Sequence, residues 1–168
     1  MKTLTTEQGY RKITLSDGTV TLVDEDDYEA LNQYSWYKWR SGNNWYAVRT
    51  ITVKYPKQQM FMMHRVVLEA PEGVMVDHIN GNSLDNRRSN LRLCNNTQNQ
   101  QNAKLRVDNK TGYKGVTQHK MFNKFQAKIK HNGKQIHLGL HDTVKEAAQA
   151  YNQKAKELFG EFARLNEI

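Results

Sequence analysis

The chain has little of what stabilises secreted and membrane proteins. Its 168 residues include one cysteine, Cys94, and two prolines. A lone thiol excludes an internal disulfide and a cysteine zinc cluster, so we expect no disulfide partner, a reducing cytoplasm and Cys94 as a small buried hydrophobe. The start, MKTLTTEQGYRK, has no apolar signal core, and no apolar run reaches the length of a membrane span. We therefore expect neither secretion nor membrane insertion.

Acidic residues are scarce in one block of the chain. The formal net charge is +8, from 25 Lys and Arg against 17 Asp and Glu. Residues 104–140 contain nine basic residues and one acidic residue, whereas residues 1–103 contain twelve and eleven, and residues 141–168 four and five. Because the whole excess lies in one block, we predict a nucleic-acid-binding surface there.

Side chains suited to catalysis are concentrated in residues 77–102, DHINGNSLDNRRSNLRLCNNTQNQQN. A neutral imidazole can take a proton from water near pH 7, and a hard cation held by carboxylate and amide oxygens can carry the charge of a phosphate. These residue types predict phosphodiester hydrolysis, with His78 as the general base and Asp77 and Asn99 as metal ligands. Each residue alone also fits a surface, a turn or a polar low-complexity run. The joint spacing favours the catalytic interpretation.

Local signals place these residues at element ends. Neighbouring side chains on a regular strand point to opposite faces, so we expect Asp77 and His78 at a strand end. The Asn80-Gly81 turn signal two residues later agrees with this. Residues 83–90 are typical of a loop and 90–93 of a return strand. A helix capped at Asn95 or Asn96 then carries Asn99.

This pattern resembles the HNH nucleases, in the phage and intron-encoded homing subgroup whose last His is replaced by Asn. The resemblance implies a ββα-metal fold in which His78 activates water, Asn90 orients His78, and Asp77 and Asn99 bind Mg²⁺ or Mn²⁺. Asn99 in place of His favours a hard metal over zinc. The resemblance also implies an enzyme working in the cytoplasm of a bacterium or of a phage's host.

The basic block has its own strand pattern. Residues 112–116, 124–130 and 135–139 predict three antiparallel strands, with a turn at Asn132-Gly133. In the second strand, apolar residues alternate with Lys and Gln, so one face is apolar and the other cationic. Thr143 and Glu146 form a capping-box signature for a helix that ends or bends near Gly160. That helix can cover the apolar face of the sheet.

The segment from about Gly112 to Asn166 resembles the plant ethylene-response-factor DNA-binding domain, through YKGV, FQAKIK, HLG, DTVKEAAQAYNQKA and the closing LN. That family's sheet reads the major groove. By resemblance, its DNA-contacting positions correspond to Lys114, Thr117, His119, Lys124, Lys128, Lys130 and His137. Lys lacks the bidentate fork with which Arg reads guanine, so we expect a loose sequence preference.

The N-terminal region predicts a hairpin over residues 13–23, a short helix over 24–34 and a second hairpin over 36–53. Its aromatic residues can contact DNA, but we expect Trp36, Trp39 and Trp45 to form the core of a small domain. In residues 60–68, the MHRVV segment resembles a strand-to-helix entry. His64, His119, His131, His137 and His141 lack a tight metal spacing, and we expect them on the surface or facing DNA.

We predict an α+β chain of four segments: a β-rich region (1–58), the ββα-metal nuclease motif (59–103), a basic linker (104–111), and a three-stranded antiparallel sheet packed on one helix (112–168). The expected function is metal-dependent, site-specific cleavage of double-stranded DNA by a monomer, of a strand-nicking or homing type. The alternatives are a DNA-binding regulator with a degenerate nuclease site and an RNA-directed protein. Retention of all four catalytic positions favours the nuclease, and the major-groove-sized sheet disfavours RNA.

Overall fold

A computed structural model describes residues 9–168 and divides the chain into two compact units, one ending at Asn95 and the other beginning at Asn96. Both combine small antiparallel sheets with short helices. The first eight residues of the predicted signal-free start lie outside the described residues. The predicted boundaries at residues 58, 103 and 111 stay a prediction. In the described part of the chain, no helix has the length and apolar character needed to cross a membrane.

The first unit begins with the predicted hairpin and helix. Strands β1 (Tyr10–Thr14) and β2 (Val20–Asp24) pair antiparallel, and α1 (Glu25–Asn32) follows, with three acidic residues in its first turn. Carboxylates at this end stabilise the helix, because the N-terminus is the positive end of the helix dipole. The second predicted hairpin is also confirmed, and it continues into a third strand. The resulting sheet has the order β3 (Tyr37–Ser41), β4 (Asn44–Lys54), β5 (Lys57–Met62).

The rest of this unit contains the motif. Helix α2 (Met63–Val67) leads to β6 (Met75–His78), which pairs antiparallel with β7 (Leu91–Cys94). A 3₁₀ turn at Arg88–Asn90 comes directly before β7, so the return strand begins one residue later than predicted. Cys94 is a free, buried thiol, as expected, and burial raises its pKa.

The three tryptophans of the first unit differ in how deeply they are buried. Trp36 is buried among Ile13, Val23 and Leu31, and its indole N–H donates to the Leu31 carbonyl at 2.8 Å. Trp39 is only partly buried, and Trp45 is 43% exposed. The prediction that Trp45 belongs to the core is therefore wrong. Trp45 lies at the start of β4, next to the β3–β4 turn, and does not belong to the core cluster.

The second unit starts with α3 (Asn96–Gln101) and contains the predicted three-stranded sheet, in the order β8 (Val116–Gln118), β9 (Phe125–His131), β10 (Lys134–His141). The predicted first strand over residues 112–116 is wrong, because residues 112–115 form turns. Gly115 has a φ of +77°, and a Cβ there would lie 2.0 Å from the Tyr151 ring. The strand can begin only at Val116.

Helix α4 (Val144–Phe159) covers one face of this sheet, as predicted. The capping box is confirmed: the Glu146 N–H donates to Thr143 Oγ1 at 3.2 Å, and the Thr143 N–H donates to the Glu146 carboxylate at 3.3 Å. The helix ends at Phe159 and is followed by a 3₁₀ turn at Gly160–Phe162. Five of its residues are buried against the strands: Ala147, Ala148, Tyr151, Ala155 and Phe159. The alternate residues of β9, among them Lys128 and Lys130, lie on the opposite face of the sheet.

Candidate active site

The Asp77-His78 pair lies at the end of β6, as predicted. The Gly81 N–H donates to the His78 carbonyl at 2.8 Å, and Gly81 has a φ of +72°, so the chain turns directly after the strand. Both Asp77 and His78 are only 6% exposed. The strand end thus brings two adjacent polar side chains into a nearly closed environment.

A buried hydrogen-bond chain orients His78. Its Nε2 lies 3.1 Å from Oδ1 of Asn86, which is fully buried. The Asn86 side-chain amide donates to Thr21 Oγ1 at 2.8 Å, and the Thr21 hydroxyl donates to the Leu84 carbonyl at 2.7 Å. Because Asn86 uses its NH₂ group on Thr21, its oxygen faces His78 and accepts from Nε2–H. The neutral imidazole therefore carries its lone pair on Nδ1.

The loop that carries Asn86 is attached to β2. The Leu22 N–H donates to the Leu84 carbonyl at 2.9 Å, and the Asn86 N–H donates to the Leu22 carbonyl at 2.8 Å. This pair forms a short parallel bridge outside the regular strands. The N-terminal hairpin therefore forms one wall of the loop.

Asn90 closes the same loop. Its Oδ1 accepts from the Asn80 N–H at 2.9 Å, and its side-chain amide donates to the Asp85 carbonyl at 2.8 Å. Its own carbonyl accepts from the N–H of Ile79, the residue after His78, at 2.9 Å. These bonds hold together the two ends of the loop, and the predicted orienting role of Asn90 stays a prediction.

A second polar cluster stiffens the loop from inside. The Arg87 guanidinium donates to both oxygens of the Asp85 carboxylate, at 2.7 and 2.6 Å, and the Asn80 amide donates to Asp85 at 2.9 Å. The Arg87 guanidinium is the main reason that the pKa of Asp85 lies below its usual value. Asp85 is 2% exposed, so the loop is built around a buried, paired carboxylate.

His64 lies beside His78, contrary to the prediction that it faces solvent or DNA. It comes from α2, and its ring centroid is 5.1 Å from that of His78 in an edge arrangement and 5.3 Å from that of Tyr46. Burial is the main cause that lowers the pKa of His64 to about 3, followed by electrostatic interactions with His78 and Arg65. His64 is therefore a neutral ring at physiological pH.

The HNH endonuclease family pattern matches residues 62–101, which include α2, β6, the loop, β7 and α3. A protein of Acanthamoeba polyphaga mimivirus, named an uncharacterized HNH endonuclease, is 34% identical over 154 residues, 90% of this chain and 76% of that protein. Protein 3.8 of Escherichia phage T7 is 31% identical over 112 residues, 67% of this chain and 92% of that protein. This chain belongs to the HNH endonucleases.

As an HNH endonuclease it is a nuclease, and members of this family generally use a divalent metal ion. Asp77 is the carboxylate next to His78, and its Oδ2 accepts from Arg92 Nε at 3.0 Å and Nη2 at 2.8 Å. Asp77 and Arg92 are directly opposite each other on β6 and β7. A carboxylate can accept at both oxygens, so this ion pair is compatible with metal ligation.

The donor set also fits a hard cation. Residues 9–168 contain no cluster of three or more His, Cys, Asp or Glu side chains suited to a metal. The oxygen donors of the motif, a carboxylate and amide groups, are of the type that hard divalent cations bind. The other predicted ligand, Asn99, lies on α3 and is half-buried.

The predicted DNA-contacting residues are distributed unevenly over the second unit. Lys128 and His137 are opposite each other on β9 and β10, and Lys130 is opposite Gln135, on the face away from α4. Thr117 is exposed on β8. Lys124 directly precedes the central strand β9 and is paired with Asp142 at 3.0 Å. The His119 ring stacks on that of the exposed Phe122, with 4.8 Å between the ring centroids.

Lys114 is placed differently. Its ammonium donates to the carbonyls of Gln101 and Ala103, at 2.6 and 2.8 Å, at the end of α3. Burial lowers its pKa to about 8. Lys114 thus connects the segment after α3 to the residues that precede β8, and its predicted contact with DNA stays a prediction.

Proposed function

We propose that this HNH endonuclease hydrolyses phosphodiester bonds of double-stranded DNA with a divalent metal ion and with His78 as the general base. The hydrogen-bond chain from Thr21 through Asn86 to His78 is the observation that carries the proposal. It keeps a proton on Nε2 and leaves the basic lone pair on Nδ1. A buried amide with no charge to contribute is suited to orienting a base that must alternate between neutral and protonated forms.

In this mechanism, the chain's residues have separate roles. His78 takes the proton of the attacking water at Nδ1, while Asn86 retains its bond to Nε2. Asp77 and Asn99 would hold Mg²⁺ or Mn²⁺, and the bound cation supplies positive charge to the phosphate and the departing oxygen. Arg92 fixes the Asp77 carboxylate from the opposite strand, and Asn90 keeps the loop closed.

The second unit would hold the substrate. Its three-stranded sheet with one helix behind it supports the resemblance to the ethylene-response-factor domain, and the open face presents Thr117, Lys128, Lys130 and His137. Since 90% of this chain aligns with the mimiviral HNH endonuclease, most of this unit belongs to the shared sequence. We propose that this face binds duplex DNA and gives a monomeric enzyme its site preference, as in homing or nicking endonucleases of phages and bacteria.

The decisive experiment compares His78→Ala with wild type in the cleavage of a supercoiled plasmid. General-base catalysis typically contributes about 10²–10⁴ in rate, so the variant should lose at least 100-fold while binding DNA normally. His141→Ala, which changes a histidine on the edge strand β10 of the second unit, is the matched control and should cut normally. Excess EDTA should stop the wild-type enzyme, and Mg²⁺ or Mn²⁺ should restore it. Cleavage that persists in EDTA would contradict the metal mechanism.

A further inference from the structure

The far half of the β4–β5 hairpin extends from the body of the first unit. Strand β3 pairs only with residues 44–48 of β4, so beyond Val48 the sheet is a ribbon of two strands. Every residue from 50 to 60 is exposed, including Tyr55 at 89%, Val53 at 57% and Ile51 at 41%. The six residues of β4 beyond Val48, at about 3.3 Å each, give the ribbon a length of roughly 20 Å.

The base of the ribbon is anchored. Val48 is fully buried and is paired with Met62, and the Arg49 guanidinium lies 3.6 Å from the centre of the Tyr34 ring and 5.1 Å from that of Phe61. Stacked cation–π contacts of this kind hold a guanidinium in place. The ribbon therefore starts from a fixed position and direction.

The tip of the ribbon is unfavourable by itself. A register shift after Thr52 places Lys54 directly opposite Lys57, and like charges in facing positions destabilise a strand pair. An isolated two-stranded hairpin without a buried face is only marginally stable in water. An anionic surface beside the tip would offset the repulsion between the two facing lysines, and Ile51, Val53 and Tyr55 are exposed next to them.

The charge pattern around the ribbon favours an anionic partner. Residues 30–68 contain six Lys and Arg and no Asp or Glu. The near-zero net charge of residues 1–103 conceals this stretch, because the acidic residues lie before and after it. The major groove of B-DNA, about 12 Å wide, admits a two-stranded β-ribbon.

We propose that the β4–β5 ribbon is a second DNA-binding element, which enters the major groove of the substrate and is independent of the basic face of the second unit. The inference rests on the proposed cleavage of duplex DNA and adds a contact surface to it. Lys54 and Lys57 would contact phosphates, and Tyr55 would contact the groove. The nuclease unit would then bind DNA directly instead of depending entirely on the second unit.

The test measures the affinity of the full chain for duplex DNA by fluorescence anisotropy. EDTA is present to prevent metal-dependent cleavage of the DNA during the measurement. The K54Q/K57Q variant should lose two phosphate contacts, which should flatten the slope of log K against log salt by about 1.8. Each lost contact should weaken binding about eightfold at 0.1 M salt. The matched control K145Q/K156Q removes two exposed lysines from α4 and should leave the slope unchanged. Equal slopes for the ribbon variant and wild type would overturn the proposal.

A photo-cross-linking amino acid at position 55 provides a direct readout. We expect adducts with duplex DNA, and fewer adducts when the duplex carries glucosylated 5-hydroxymethylcytosine, which fills the major groove. Protein–protein adducts alone would show that a second copy covers the ribbon, and they would overturn the proposal. Because neither measurement requires His78 or a metal, failure here can be distinguished from failure of the proposed hydrolysis.

Discussion

Replacing Asn86 should slow catalysis without weakening DNA binding. In Asn86→Ala, the Nε2–H of His78 loses a buried acceptor at 3.1 Å. Loss of one buried hydrogen-bond partner costs about 1–3 kcal/mol. If that free energy orients the imidazole, kcat should fall by about 5- to 150-fold, since each 1.4 kcal/mol corresponds to a factor of ten. The loss cannot exceed that of His78→Ala, and KM should stay constant.

Asn86→Asp separates orientation from folding. The carboxylate keeps an acceptor for Nε2–H and adds a negative charge that stabilises the imidazolium, so the base stays protonated to higher pH. We expect the acid limb of the pH profile of kcat/KM to move upward by about one unit or more, with activity recovering at high pH. A residue that only supported the fold would lower the whole profile and leave the limb where it is.

Thr21→Val is the graded control, because it removes the partner of the Asn86 amide but leaves the bond between Asn86 and His78. Its effect on kcat should be smaller than that of Asn86→Ala, and melting temperatures of all three variants report the structural cost. Wild-type kcat in Asn86→Ala, or an unmoved acid limb in Asn86→Asp, would refute the orienting role of Asn86.

Two further predictions concern stability and affinity. The unfolded imidazole of His64 titrates near 6.5 and the folded one near 3, so between these values the unfolded state binds more protons and stability falls as the pH is lowered. At pH 5 this costs about 2 kcal/mol, and His64→Phe should show a correspondingly smaller loss between pH 7 and 5 in denaturant titrations. In the second unit, the K128Q/K130Q variant should flatten the slope of log K for DNA against log salt by about two. The K145Q/K156Q control should leave that slope unchanged. An unchanged slope would place the basic face outside the DNA interface.

Local signals in the sequence were sufficient to predict much of the motif. The Asn80-Gly81 turn located the strand end that carries Asp77 and His78, because such a turn depends on its own residues alone. The capping box of α4 is equally local, and the alternation in β9 determined which sheet face the helix covers. These features need no knowledge of distant parts of the chain.

The features that sequence could not predict depend on distant contacts. Asn86 is one of many amide residues between 77 and 102, and only the approach of β2 distinguishes it. His64 is buried because α2 packs its ring against His78, and a lone histidine shows no spacing that would indicate this. The positive φ of Gly115 interrupts the predicted first strand, and the Tyr151 ring leaves no space for a side chain at that position. The net charge of residues 1–103 likewise averaged out the basic stretch around the β4–β5 ribbon.

The bridge between β2 and the active-site loop limits how the motif can be transplanted. The family pattern begins at residue 62, yet the partner of Asn86 is Thr21, and the backbone that holds the loop belongs to Leu22. A graft of residues 62–101 onto another scaffold would carry His78 and Asn86 but not the Thr21 and Leu22 contacts that hold Asn86 in place. The smallest part of the chain that keeps the catalytic geometry therefore includes the N-terminal hairpin. Recombination between the hairpin and the motif would leave Asn86 without the contacts that position it beside His78.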